Sequence, residues 1–266
     1  MKKFLRRYLY KKPARKLAVQ VKSAVDSLEG ALPIIVISYN NGIYVDHCVR
    51  QLNARSIKPL IIDNASKDAE TLAILSEISM AKQAFVVRSA INMGARTGFQ
   101  CPIYDVLPDI FGYTDPDLLF NRHLPADFIQ QLIGVCDYFK CFKAGFALPY
   151  QTEHELTSCR MKSSLGKIIP YEKLVTVSQW ESRFWNKPLK HDRLEVYAAP
   201  IDTTFAIYHK KYYRGDFFDA VRVAGNFSAL HMPWFPDLDL LSPHQRSTYL
   251  KGNKSSTWIT DRISDP

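Results

Sequence analysis

The chain has 266 residues, of which 47% are apolar and 23% charged, so disorder of the chain as a whole is excluded. Its net charge of +9 comes from residues 1–25, which hold nine cations and no acid, whereas the remainder is balanced. A nucleic-acid partner is therefore not expected, because a binding face shows a basic stripe on the folded body.

The basic segment, residues 1–30, is predicted to be an amphipathic N-terminal arm. Pro13 cannot donate a hydrogen bond inside a helix, so two short helices are expected, one on each side of it. The apolar stripes at helical spacing are Phe4, Leu5, Tyr8 and Leu9, then Leu17, Val21, Ala24 and Leu28. The first stripe favours contact with an anionic membrane surface. The second fits membrane contact and packing on the body equally well.

After Pro33, apolar runs alternate with segments of helical periodicity. The predicted strands cover 34–37, 59–62, 85–87 and 110–113, and the predicted helices cover 43–55, 68–82 and 95–107. Consecutive apolar residues are typical of strands buried on both faces. This alternation predicts an α/β fold with a mostly parallel central sheet flanked by helices.

The second half of the chain shows a looser pattern. We predict a helix at 126–139, a strand around 144–148 and polar loops over 150–175. Strand-like stretches follow at 195–208 and 221–230, and a polar tail covers 251–266. No apolar run reaches the length of about 18–20 residues that a membrane span needs, and no apolar core of a signal peptide follows the basic arm. We therefore expect a cytoplasmic protein.

Polar side chains follow each of the four predicted strands. They are Ser38, Tyr39 and Asn40, then Asp63, Asn64 and Ser66, then Asn92 and Gly94, then Asp115 and Asp117. Because ligands bind outside the carboxyl ends of parallel strands, one site is expected there. Asp115 and Asp117 can share Mg²⁺ or Mn²⁺ with the phosphate oxygens of a nucleoside diphosphate, although an Asp-Pro turn that ends the strand explains them as well. The sequence contains neither GxGxxG nor a P-loop.

These motifs resemble the family 2-like glycosyltransferases of GT-A fold. The resemblance is carried by residues 35–40, 61–68, 92–94 and 114–117. A weaker likeness at 180–181, 199–205 and 231–234 is to bacterial glycosyltransferases that build surface polysaccharides. It implies one Rossmann-type domain over 31–250, with a nucleotide-binding half at 31–120 and an acceptor and catalytic half at 121–250.

The resemblance also implies roles for individual residues. The nucleotide-sugar-binding set is Ser38, Tyr39, Asn40, Asp63, Asn64, Asn92, Gly94, Arg96 and Asp115, and the metal set is Asp115, Asp117 and His231. Asp63 to Ser66 also fits a helix N-cap, and both roles are compatible. His231 fits an ordinary buried histidine as well as a metal ligand.

The catalytic base is the point where the sequence departs from the family. Many inverting members carry a Glu-Asp pair in the second half, and this chain has none. The candidates are Asp202, which ends a strand-like run, and Glu181, which lies among helically spaced aromatic residues. We prefer Asp202. A turn or cap for Asp202 and the polar edge of a core helix for Glu181 are the structural alternatives.

The resulting functional hypothesis is a metal-dependent, inverting glycosyltransferase that uses Mn²⁺ or Mg²⁺. It would move a sugar from a nucleotide-diphosphate donor to a saccharide or lipid-linked saccharide. A UDP-sugar is the preferred candidate for the donor. Such a role belongs to bacterial surface polysaccharide synthesis (lipopolysaccharide or capsule), with the protein peripheral on the inner face of the cell membrane. The alternatives are a sugar nucleotidyltransferase, whose usual glycine-rich N-terminal loop is missing, and a binding module docked by its basic arm.

Overall fold

The computed structural model describes residues 2–157, 160–162 and 174–252. Its helices are α1 Lys2–Asp26, α2 Gly42–Asn53, α3 Ala69–Met80, α4 Ile103–Val106, α5 Phe128–Phe139, α6 Val177–Glu181 and α7 Pro243–Gly252. Its strands are β1 Ile34–Ser38, β2 Leu60–Asp63, β3 Phe85–Arg88, β4 Ile110–Thr114, β5 Leu118–Phe120, β6 Lys143–Phe146, β7 Arg160–Lys162, β8 Leu174–Thr176, β9 Pro188–Leu189, β10 Val196–Ala198, β11 Ala206–His209, β12 Ala220–Val223 and β13 Ala229–His231.

Nine strands of the described chain form one sheet in the order β3-β2-β1-β4-β11-β6-β12-β10-β9. The first four pair in parallel, and so do β6 and β12. Strand β11 runs antiparallel to both of its neighbours, and β10 does the same further along the sheet. The predicted α/β fold with a mostly parallel central sheet flanked by helices is confirmed.

Apolar cores lie on both faces of this sheet, which explains the consecutive apolar residues of its strands. In β1, Ile34 and Val36 belong to the core that contains buried residues of α2, α3 and α5. Ile35 and Ile37 belong to the other core, which contains buried residues of α1 and α4. Because side chains alternate along a strand, covering both faces leaves polar chemistry to the strand ends.

The N-terminal arm differs from its prediction, because α1 is a single helix with Pro13 inside it. A proline removes one hydrogen bond from a helix without ending it in every case, and packing elsewhere on the helix offsets the loss. The packed face here consists of Ala14, Leu17, Ala18, Val21 and Ala24. The second stripe therefore packs on the body as far as Ala24. Side chains of the first stripe (residues 4–9) lie outside the described part.

Three further stretches are shorter or more divided than predicted. Residues 95–107 contain only a 3₁₀ turn, Thr97–Phe99, and the four-residue α4, because Pro102 disfavours a helical conformation before it. The stretch 195–208 is two strands, β10 and β11, separated by a loop that contains Pro200. The stretch 221–230 is likewise divided between β12 and β13. Within the predicted loops at 150–175, the described residues include the paired strands β7 and β8, and the remainder lies largely outside the described part.

No described helix is both long and apolar enough to cross a membrane. The predicted tail at 251–266 lies outside the described residues, apart from the last residues of α7.

The packing of α1 can be tested by truncating one buried residue. Leu17 is 1% exposed, and we expect Leu17→Ala to lower the free energy of unfolding by about 2–5 kcal/mol, because it removes buried methyl groups and leaves a cavity. Val19, on the opposite face, is 72% exposed, so Val19→Ala is the matched control, with an expected change within about 0.5 kcal/mol. Urea unfolding measures both. Equal effects would show that α1 does not pack on the sheet by this face.

Candidate functional site

The strand order predicts a crevice at the carboxyl ends of β1 and β4. Chain order reverses between these neighbouring strands, because β2 and β3 continue on one side of β1 and β4 lies on the other. Ligands of open α/β sheets bind at such a switch point. The structure therefore brings the loops after β1, β2, β3 and β4, which carry the polar clusters predicted from the sequence, to one edge of the sheet.

The loops after β1 and β2 are bonded to each other through Asn40. Its backbone has φ of +51°, its amide donates to Ser66 Oγ (2.9 Å), and its Oδ1 accepts from the amides of Lys67 (2.8 Å) and Asp68 (3.2 Å). Asn40 therefore holds the two loops together at the edge of the crevice.

Ser38 and Tyr39 are fixed by the neighbouring Asn41. Ser38 is buried and its Oγ donates to Asn41 Oδ1 (3.1 Å), which also accepts from the Tyr39 amide (3.0 Å). Tyr39 itself remains partly exposed. Of these two predicted donor-binding residues, Tyr39 is thus the one with a surface that a ligand can reach.

Asp63, at the end of β2, is fully buried and its charge is balanced inside the protein. Its Oδ1 accepts from the Ser66 amide (3.0 Å), and Arg88 Nε lies 2.9 Å from Oδ2. Arg88 also donates to the Ser66 carbonyl (2.6 Å). The carboxylate thus stabilises the loop that leads to α3. The sequence predicted an N-cap at residues 63–66, but the residue that caps α3 is Asp68.

The side chain of Asn64 uses all four of its hydrogen-bonding positions inside the protein. Nδ2 donates to Asn92 Oδ1 (2.7 Å) and to the Gly94 carbonyl (3.0 Å), and Oδ1 accepts from the Met93 amide (2.8 Å) and the Thr97 hydroxyl (3.1 Å). A primary amide offers two donor hydrogens and two acceptor positions. Asn64 is therefore saturated, and it positions the loop after β3.

That loop presents Gly94 and Arg96 to the crevice. Gly94 has φ of +95°, and no atom lies within 4 Å of the place where a Cβ would be, so a ligand can approach its backbone closely. Arg96 donates from Nε and Nη2 to the two carboxylate oxygens of Asp202, at 2.6 and 2.8 Å. Asp202 lies in the loop between β10 and β11, and both side chains are nearly half exposed.

Asp117 and His231 are brought together by a small antiparallel ladder. Strands β5 and β13 pair with His231 opposite Leu118, and His231 Nε2 lies 3.4 Å from Asp117 Oδ2. Asp117 is 5% exposed, and its other oxygen is buried without a hydrogen-bond partner in the described part of the protein. Asp115 is fixed on the other side, because its Oδ2 accepts from the Thr203 hydroxyl and its amide donates to the Thr203 carbonyl.

The electrostatics of this acidic cluster favour a bound cation. Burial, together with the neighbouring Asp117 carboxylate, raises the pKa of Asp115 to about 7. Burial acts to lower the pKa of His231, but the Asp117 carboxylate outweighs it and the pKa is raised. Negative charge is thus concentrated in a place with little water, which a cation would relieve.

The side chains of Asp115, Asp117 and His231 are of ligand types that suit a divalent cation. Carboxylates and imidazole suit Mn²⁺, and the buried, unpartnered oxygen of Asp117 is a ready ligand atom. In the part of the chain that the structure describes, no group of three or more His, Cys, Asp or Glu side chains is placed to hold a metal ion by itself. Mg²⁺-type sites commonly use one or two carboxylates and take further ligands from phosphate oxygens.

Glu181 is placed differently from Asp202. It is 1% exposed, and its Oε2 accepts from Arg222 Nη1 (2.7 Å), while Arg222 Nε donates to the Pro200 carbonyl (3.0 Å). Burial raises the pKa of Glu181, and the Arg222 charge opposes that rise. An acceptor hydroxyl does not reach so buried a carboxylate. Glu181 instead holds Arg222 against the loop that carries Asp202.

Sequence reasoning missed two residues close to these groups. One is Thr203, the partner of Asp115. The other is Lys143 on β6, whose Nζ lies 3.7 Å from the ring centroid of Phe217 and 4.9 Å from that of Tyr208. Lys143 is fully buried, burial lowers its pKa to about 7, and Nζ has no hydrogen-bond partner among the described residues. The signal in the sequence was a single cation within the apolar run 142–148.

Comparisons with known proteins add little to this geometry. No protein-family model matches the sequence, and no curated protein is significantly similar to it. Among solved structures, the mannosyltransferase PcManGT from Pyrobaculum calidifontis, in complex with GDP-Man and Mn²⁺, aligns with a TM-score of 0.39 and 14% identity. The alignment covers 67% of this chain and 44% of that one. At this level of similarity, neither fold nor activity is transferred.

Proposed function

We propose that the chain is a glycosyltransferase that takes its sugar from a nucleotide-diphosphate donor. The observation that carries the proposal is the acidic cluster at the switch point of the sheet, where Asp115 and Asp117 lie beside His231. One buried Asp117 oxygen there has no hydrogen-bond partner among the residues that the structure describes. A diphosphate with its cation supplies both the positive charge and the additional ligands that this cluster lacks.

The donor would lie along the loops after β1, β2 and β3. In this arrangement Tyr39 packs against the base or ribose, Gly94 allows close approach to the backbone, and Arg96 offers a planar pair of donors to phosphate oxygens. Ser38, Asn40, Asp63, Asn64 and Asn92 act through the shape and rigidity of these loops, since each is hydrogen-bonded inside the protein. UDP is the first nucleotide to test.

The metal ligands in this proposal are Asp117 and Asp115, with His231 beside Asp117. Mn²⁺ or Mg²⁺ held there would neutralise the charge that develops on the leaving diphosphate. Asp202 is the proposed base, because it is the more exposed of the two candidate carboxylates and lies in the same loop as Thr203, which holds Asp115. Attack opposite the leaving group would invert the configuration of the anomeric carbon.

A thermal-shift series with Mn²⁺ tests the donor site. We expect UDP- or GDP-linked sugars to raise the melting temperature, because a ligand at about 100 times its Kd stabilises the folded state by about 2.7 kcal/mol. CMP-linked sugars, which carry a single phosphate, are the control and should have a smaller effect. Equal shifts with and without EDTA would contradict the metal, and no shift with any donor would contradict the proposal. Pyrophosphate release from a nucleoside triphosphate and a sugar phosphate would instead indicate a nucleotidyltransferase.

We further propose that α1 brings this enzyme to an anionic membrane, where a lipid-linked acceptor of bacterial surface polysaccharide synthesis would be found. Lys11, Lys12, Arg15 and Lys16 are exposed on α1, away from the face that packs on the sheet. Basic residues near an anionic surface contribute about 1 kcal/mol each, and salt screens the attraction.

Charge reversal tests this contact without disturbing the packed face, which a deletion of residues 1–25 would remove. We expect the fourfold change of Lys11, Lys12, Arg15 and Lys16 to Glu to abolish salt-sensitive sedimentation with phosphatidylglycerol vesicles. The matched control reverses four exposed cations elsewhere, Arg183, Lys187, Lys190 and Arg193, and should keep most of the binding. Equal losses in the two variants would contradict a specific role for α1.

A further inference from the structure

The ion pair between Arg96 and Asp202 joins the loop after β3 to the loop between β10 and β11, within electrostatic range of Asp115. Both carboxylate oxygens of Asp202 accept from the guanidinium, at 2.6 and 2.8 Å, so the charge of this carboxylate is matched by Arg96. The two side chains are 43% and 46% exposed. An ion pair this close to water stabilises a fold only slightly, and a competing anion can displace one partner.

The two loops that carry this pair are themselves firmly held. Arg96 follows Gly94 in the loop bonded to Asn64, and Asp202 precedes Thr203, whose hydroxyl and carbonyl are bonded to Asp115. The pair therefore links the loop proposed for the donor to the loop that contacts the acidic cluster. Because the backbone of each loop is held in place, the ion pair separates by rotation of the two side chains and not by movement of the loops.

An independent support keeps Arg96 in place when its carboxylate partner is absent. Its guanidinium carbon lies 4.7 Å from the ring centroid of Phe217 and 4.9 Å from that of Phe218. Phe217 is in turn packed against the buried Lys143. Stacking on aromatic faces leaves the hydrogen-bonding edge of a guanidinium available, and that edge matches phosphate as well as carboxylate.

We propose that Arg96 exchanges the Asp202 carboxylate for the diphosphate of the donor, so that donor binding releases the base. The inference rests on the proposed function and adds an order of events to it. Before the donor binds, Asp202 is occupied by Arg96. Once the diphosphate takes over the guanidinium, the Asp202 carboxylate is free to face the acceptor hydroxyl.

The released carboxylate then acts as the base in a nucleophilic displacement at the anomeric carbon. The acceptor oxygen forms a bond to the anomeric carbon, and its proton passes to Asp202. The bond between the anomeric carbon and the diphosphate oxygen breaks, and its electron pair leaves with the nucleoside diphosphate.

The test is calorimetric titration of UDP and GDP, each with Mn²⁺, into full-length variants. If Asp202 competes for Arg96, then Asp202→Asn should bind the nucleoside diphosphate about three- to tenfold more tightly than wild type, whereas Arg96→Gln should bind it about tenfold more weakly. In the Arg96→Gln background, adding Asp202→Asn should raise the affinity for nucleoside diphosphate less than about twofold, because no guanidinium is present for which the carboxylate and the diphosphate compete.

Asp216→Asn is the matched control. The Asp216 carboxylate, like that of Asp202, acts electrostatically on Lys143, but it accepts from the Phe218 amide, a bond that asparagine can keep, so affinity should change less than about twofold. The exchange is wrong if Asp202→Asn leaves the affinity unchanged or weakens it, or if its gain persists in the Arg96→Gln background. A wild-type protein that binds neither nucleotide with Mn²⁺ would contradict the donor site itself, and the exchange with it.

Discussion

Asp117→Asn is expected to lower Mn²⁺-dependent turnover of the donor at least about a hundredfold. The substitution keeps the size of the side chain but removes the charge and one strong ligand atom at the centre of the acidic cluster. A metal that acts as a Lewis acid contributes several kcal/mol of transition-state stabilisation, so its loss is a large effect. Asp115→Asn should act in the same direction.

Unfolding does not explain such a loss. Asp117 is buried close to Asp115, and this like charge contributes to the raised pKa of Asp115. Removing it relieves this repulsion but also removes the attraction to His231, and because the two effects oppose each other, Asp117→Asn should melt close to the wild-type temperature. Asp192→Asn, in an exposed loop, is the control and should keep full activity. Unchanged turnover in Asp117→Asn would contradict the metal assignment.

Lys143→Met is expected to increase the free energy of unfolding at pH 6 by roughly 2–4 kcal/mol. The pKa of Lys143 is about 7 in the folded protein, because burial disfavours the ammonium, and about 10.4 in the unfolded chain. Below pH 7 the lysine is protonated in both states, and the folded state bears the whole cost of burying the charge. Methionine fills similar space without a charge, although it loses the contact of the ammonium with Phe217.

The pH dependence of this gain has a definite sign. Between pH 7 and 10 the folded protein releases the Lys143 proton before the unfolded chain does, so wild-type stability rises with pH and the advantage of the methionine variant shrinks. Urea unfolding at pH 6, 8 and 10 measures it. Lys210→Met is the control and should lower the free energy of unfolding, because it removes the hydrogen bonds that Lys210 Nζ donates to the carbonyls of Tyr104 and Leu107. A methionine variant at position 143 that is less stable than wild type at pH 6 would contradict a costly buried charge.

The sequence predicted the central sheet well, because the information is local. A run such as Ile34 to Ile37 can be buried only where both faces are covered, and the polar residues after it mark the strand end. The common edge for the loops after β1, β2, β3 and β4 followed from parallel pairing alone. The neighbourhood of Asp117 and His231 was predicted only through a family resemblance, because the pairing of β5 with β13 spans more than a hundred residues.

The remaining details depend on contacts that no local pattern records. The helix α1 passes through Pro13 although its sequence indicates a break, since packing on the sheet competes with local propensity. Asn64 was predicted to bind the donor, but all of its hydrogen bonds are used in the loop after β3. The environment of Lys143 could not be predicted from the sequence around it, because its aromatic neighbours Tyr208 and Phe217 come from a distant part of the chain.

The most direct test of the central claim is the identity of the product that wild-type protein releases from a nucleotide-diphosphate sugar. Even without an acceptor, slow transfer to water should yield nucleoside diphosphate and free sugar. Chromatography of the nucleotide after incubation with UDP- and GDP-linked sugars separates the products. We predict that nucleoside diphosphate accumulates with Mn²⁺ and not with EDTA. Accumulation at the same rate in EDTA, or none with any donor and a range of saccharide acceptors, would contradict a metal-assisted glycosyltransferase site at this edge of the sheet.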